Sequence, residues 1–64
     1  MKFKPEQPTE SGYYWVIVGG DMLIVYVDID KQNVRSFYGY NDLDDKYVVR
    51  CFDWGDKIQE PTRD

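Results

Sequence analysis

Two apolar runs joined by a pair of glycines limit what this chain can fold into. The first run is Gly12-Tyr13-Tyr14-Trp15-Val16-Ile17-Val18, the second is Met22-Leu23-Ile24-Val25-Tyr26-Val27, and Gly19-Gly20-Asp21 stands between them. β-Branched and aromatic residues suit a pleated, half-buried surface. Glycines tolerate the positive φ that a tight hairpin turn demands. Successive side chains of a strand point to opposite faces, so Tyr13, Trp15 and Ile17 share one face while Tyr14, Val16 and Val18 share the other. In the second run Leu23, Val25 and Val27 oppose Met22, Ile24 and Tyr26. Neither face is polar. A hairpin of this kind is either sandwiched inside a fold or leaves one face for something else.

Full sandwiching is hard to arrange in 64 residues. A chain this short buries only about 60% of the surface that its unfolded form exposes, so it needs a staple, a partner or a dense core. Cys51 is the only cysteine and there is no histidine, which leaves neither an internal disulfide nor the ligands of a structural zinc site. Two Trp, six Tyr and three Phe remain. Large rings bury much area at little side-chain entropy. They suit a core that must be small.

Along the chain, Pro5 and Pro8 forbid a helix in residues 1–11, which read as an extended N-terminal arm. A single β domain is expected over residues 12–61, followed by a tail at 62–64. After the hairpin, Asp28-Ile29-Asp30-Lys31-Gln32-Asn33 is a turn signal. Residues 34–38 read as a third strand at a sheet edge, with Arg35 guarding against aggregation. Residues 39–46 read as a loop with one short helical turn at 41–46. A fourth strand is expected over residues 47–52, with Cys51 turned to the interior. Trp54 then anchors a tail that folds back across the sheet as far as Pro61, with disorder setting in near Thr62. The spacing predicts an all-β fold: a small four-stranded antiparallel meander, curved or partly closed.

Several functions are disfavoured. Without histidine the usual general base is missing, and Ser11 and Ser36 have no base nearby in sequence; the chain does not read as an enzyme and no cofactor is expected. The segment from Asp28 begins like a calcium loop, but its sixth position is Asn33 rather than Gly and its twelfth is Gly39 rather than Glu. The net charge is −4, and Lys31 and Arg35 are too few for a patch that binds phosphate backbones. Direct nucleic-acid binding is not expected. No apolar stretch approaches the ~20 residues of a membrane span, and Met1-Lys2-Phe3-Lys4-Pro5-Glu6 lacks the apolar core of a signal peptide. With a lone thiol, these features point to a reducing cytoplasm.

Two surfaces remain as candidates. The register does not by itself say which face of the hairpin is inside; Tyr14, Val16 and Val18 are taken as core, with Tyr13 and Trp15 partly exposed. Tyr13, Trp15, Ile17 and Tyr26 then form a protein-binding patch, since Tyr and Trp dominate binding hot spots. The acidic residues Asp42, Asp44 and Asp45 form the second candidate, because ordered carboxylates can imitate nucleic-acid phosphates and occupy a basic groove. A third possibility is a self-associating module, a homodimer that buries the aromatic face.

The frame Pro8-x-x-x-Gly12-Tyr13-Tyr14-Trp15-Val16, with Asp53-Trp54-Gly55-x-x-Ile58-x-x-Pro61 near the end, resembles small uncharacterised phage and prophage proteins. These open with a Gly-aromatic-Tyr-Trp strand and close with a Trp-Gly-x-x-Ile-x-x-Pro tail. The resemblance implies a bacterial or infected-cell cytoplasm and an accessory role. Viral proteins of this kind often bind and modulate or inhibit a host or phage protein, including defence enzymes and polymerases.

Overall fold

A computed structural model describes residues 2–37 and 39–59. It is all-β: an open five-stranded antiparallel sheet in the order β4-β3-β2-β1-β5. The strands are β1 (Gly12–Val18), β2 (Asp21–Asp28), β3 (Asn33–Ser36), β4 (Gly39–Asp42) and β5 (Asp53–Ile58). The first four follow one another as a meander. Residues 43–52 then cross one face of the sheet, so that β5 pairs with β1 at the far edge. The edges β4 and β5 do not pair with each other; the sheet is not closed.

The central hairpin forms as its composition requires. Gly19 and Gly20 make a two-residue turn with φ of 58° and 86°, both in the left-handed region where glycine carries no Cβ penalty. Val18 pairs with Asp21, Val16 with Leu23 and Tyr14 with Val25. Tyr14, Val16, Val25 and Val27 are buried, with Val18 and Leu23 packed at the margin of the same cluster. Val34 of β3 extends this face, and Leu43, Val49 and Phe52 from the crossing segment cover it. Trp54 of β5 completes the core at 2% exposure. Its ring meets Tyr14 and Phe52 edge to face, with centroids 6.2 and 5.5 Å away, an arrangement that aromatic quadrupoles favour.

Five strands stand where the sequence predicts four. Residues 39–42, expected as loop, pair with β3: Tyr40 lies opposite Arg35 and Asn41 opposite Val34. Gly, Asn and Asp are poor strand formers, and cross-strand pairing overrides that weak preference. Residues 47–52 are not a strand. They form turns and one 3-10 turn, Val49–Cys51, which takes the place of the helical turn expected at 41–46. Val49 and Phe52 lie one such turn apart, so both reach the core, while Cys51 points outward and is exposed. The interior placement expected for Cys51 is therefore overturned.

Trp54 does anchor its segment, but as part of an edge strand. Val16 pairs with Trp54 and Tyr14 with Lys57, so Trp15 faces both Gly55 and Asp56 across a β-bulge. The N-terminal arm docks on the outer side of β5, where Lys4 and Trp54 exchange two backbone hydrogen bonds of 3.0 and 2.6 Å. Further along the arm, the Gln7 side chain donates to the Leu43 carbonyl. The Tyr14 hydroxyl donates to the Glu10 carbonyl at 2.7 Å, and the Ser11 hydroxyl accepts from the Ile29 amide at 2.9 Å. Tyr38, the expected end of the third strand, lies outside the described residues, as do Pro61 and the tail at 62–64.

Two substitutions test this packing. Trp54→Ala removes a ring whose loss from a core costs about 3–5 kcal/mol, against roughly 3–10 kcal/mol for a domain of this size at ~0.05–0.15 kcal/mol per residue. The variant is expected to lose its cooperative urea transition. Cys51→Ser is expected to shift stability by no more than about 0.5 kcal/mol, and the native thiol to react fully with a thiol reagent without denaturant. Slow reaction that requires unfolding would place Cys51 inside.

Candidate protein-binding face

The sheet has one covered and one open face. On the open face Tyr13, Trp15 and Ile17 of β1 stand beside Tyr26, Ile24 and Met22 of β2, each directly opposite its partner. The sequence-predicted residues Tyr13, Trp15, Ile17 and Tyr26 are thus brought together. Met22 and Ile24 join them and are the more exposed, at 56% and 49%, with Tyr13 at 42%. Trp15 and Ile17 are half-buried by these neighbours. No segment of the described residues packs over this side.

One cross-strand row runs the full width of the sheet. Ile58 pairs with Tyr13, Tyr13 with Tyr26, Tyr26 with Arg35 and Arg35 with Tyr40. Directly paired residues share a face. The Tyr13 and Tyr26 rings meet edge to face at 4.9 Å and 64°. The Arg35 guanidinium lies 4.9 Å from the Tyr40 ring centroid and donates to a Tyr40 hydroxyl. Beside the tyrosine pair is a depression of about 610 Å³ lined by Tyr13, Tyr26, Ile58 and Lys57 among others. Lys57 also meets Glu10 at 3.3 Å, an exposed pair that adds little to stability.

The sequence does not mark Ile58 and Tyr40 as members of this surface, because their segments read as tail and loop. The period-2 signal that would have found Ile58 is broken by the bulge at Gly55 and Asp56. In the sequence Arg35 reads only as an edge guard. Its position opposite Tyr26 and Tyr40 also makes it the cation of the face.

The acidic candidate is divided by the fold. Asp42 ends β4 and pairs with Asn33, and Asp44 is exposed in the turn beyond. The Asp45 carboxylate turns inward on its own loop and accepts from the backbone amides of Tyr47 and Val48 at 2.8 and 2.6 Å. These bonds, first Val48 and then Tyr47, hold its carboxyl below the ordinary aspartate value, with help from the Asn41 side chain. Asp45 is a cap for the turn that carries Val48 and Val49 to the core, a role common to aspartates at such positions. The segment that begins like a calcium loop is a β2–β3 connection, where Asp28 accepts from the Lys31 amide at 3.1 Å. No group of three metal-ligating side chains occurs among the described residues. None of the described helices is long and apolar enough to cross a membrane. Comparison of the chain with protein-family models, with curated proteins and with solved structures gives no match.

The lowered carboxyl of Asp45 links stability to acid. A group whose folded pKa is depressed stabilises the fold above its unfolded value and loses that contribution as pH falls through the folded one. The urea midpoint is therefore expected to drop as pH falls below the ordinary aspartate range, and Asp45→Ala to flatten part of that drop. An unchanged pH profile in the variant would remove Asp45 as a cap.

Proposed function

We propose that this is a small acidic accessory protein of phage type that binds a host or viral protein through its open sheet face and thereby modulates or inhibits it. The observation that carries this reading is the asymmetry of the sheet. The crossing segment covers one apolar face, and the other presents Tyr13, Trp15, Ile17, Met22, Ile24 and Tyr26. A β-sheet ordinarily buries an apolar face against a second layer, and a contiguous exposed apolar patch marks an interaction surface. The rings sit on a central strand pair rather than on loops. That gives a partner a rigid, preorganised surface with little entropy left to lose.

The resemblance to phage and prophage proteins supports the cytoplasmic accessory setting. Its two halves are physically one unit, since Val16 pairs with Trp54 and Tyr13 with Ile58. The acidic-mimic alternative, aimed at a nucleic-acid enzyme, is the weaker one: the Asp45 carboxylate is committed to its own backbone, and Asp42, Asp44 and Asp45 do not form one free cluster.

The test uses residues whose exposure lets the fold tolerate charge. Ile24→Lys and Met22→Lys are expected to keep the urea transition of the parent and to weaken a captured partner by at least about tenfold, the scale of a central hot spot. A partner retained equally by both variants would refute binding through this face. Sedimentation showing a dimer that both variants dissociate would instead give the face to a second copy.

A further inference from the structure

We infer that the occupant of the open face is a basic amphipathic segment of the partner protein, apolar at its centre with Lys or Arg at its margins. This rests on the protein-binding reading of the same face and names the chemistry of what it binds. Carboxylates flank the apolar centre at both ends of the strands. Asp53 pairs with Ile17 at the β5 edge. At the opposite end of the strands, Asp28 pairs with Asn33 and Asn33 with Asp42, which puts both acids on the face that carries Tyr26.

The cations nearby do not balance them. Arg35 is the one basic side chain in the described paired rows of this face, and its charge, lying against the Tyr40 ring of its own chain, offsets one of the three carboxylates. Lys57 at the rim of the depression is held by Glu10, and Lys31 lies in the turn beyond Asp28. Charge complementarity across an interface steers encounter and rejects wrong partners. A second copy would bring the same acidic rim and another net charge of −4 against this one. Nucleic acids and anionic lipid surfaces are repelled for the same reason. A cationic protein segment is attracted by the rim, and its apolar residues meet the Tyr13, Trp15, Ile24 and Tyr26 centre.

The experiment titrates the full chain with two synthetic peptides of equal length, one alternating Lys with Leu and the other Glu with Leu, and follows backbone amide shifts by NMR. The Lys peptide is expected to bind, with shifts centred on Tyr13, Trp15, Ile24 and Tyr26. Its affinity should fall several-fold between low and physiological salt. Asp42→Asn combined with Asp53→Asn should weaken it several-fold with the fold intact, and Ile24→Lys should abolish it. Equal binding of the Glu peptide would overturn the inference. So would binding of neither peptide, or shifts confined to the acidic loops around Asp30 and Asp44. If Ile24→Lys still disrupts a captured partner while the Lys peptide fails, the charge assignment falls and the face reading stands. If a captured partner ignores Ile24→Lys, the face reading itself falls.

Discussion

The burial of Trp54 is the interaction on which the rest of this structure depends. Its backbone joins the arm through Lys4, its strand pairs with β1 through Val16, and its ring packs against Tyr14 and Phe52. Two segments remote in sequence, the arm and β1, therefore converge on one residue. In a chain with no disulfide, such convergence does the work of a staple. It closes the loop between the meander and β5 at the cost of loop-closure entropy that grows only slowly with length. It also explains why the arm is ordered against β5: the outward-facing backbone groups of Trp54 would otherwise lie on an unprotected sheet edge.

The same economy explains the open face. Nine buried side chains among the described residues form the core, and they use up the crossing segment, while the N-terminal arm is spent along the outer edge of β5. Covering the second face would need another layer that the described residues do not supply. The apolar residues that remain are arranged in register across β1 and β2, extended by Ile58 on one side and by Arg35 and Tyr40 on the other. This gives the face a central apolar strip, an aromatic row and an acidic rim, the features on which the binding proposal rests. Asp45 shows that the carboxylates do not all serve one purpose, because its backbone bonds shape the turn that delivers Val49 to the core.

Much of the fold was legible in the sequence. Alternation along Gly12-Tyr13-Tyr14-Trp15-Val16-Ile17-Val18 separates Tyr14 and Val16 from Tyr13 and Trp15, and the glycine pair specifies a two-residue turn. The all-β class follows from the spacing of short strand and turn signals, and the aromatic core from composition. Local signals failed where a strand is made by its neighbour. Gly39-Tyr40-Asn41-Asp42 looks like a loop, and Asp53-Trp54-Gly55-Asp56-Lys57-Ile58 has no clean alternation because the bulge shifts its register. Conversely Tyr47-Val48-Val49-Arg50-Cys51-Phe52 alternates well enough to pass for a strand, although the three-residue spacing of Val49 and Phe52 fits a 3-10 turn, which follows directly on the turn that Asp45 caps.

The sequence by itself determined the central hairpin and its two side-chain sets, because these depend on residues adjacent along the chain. Only the tertiary structure decided which set is buried, since both are apolar and alternation treats them alike. The choice falls to the crossing segment, whose Leu43, Val49 and Phe52 settle on the side of Tyr14 and Val16. That leaves Tyr13, Trp15, Ile17 and Tyr26 on the other side. The pairing of β5 with β1, which unites Ile58 with Tyr13, likewise belongs to long-range contact. A local pattern cannot encode which distant strand will complete its hydrogen bonds.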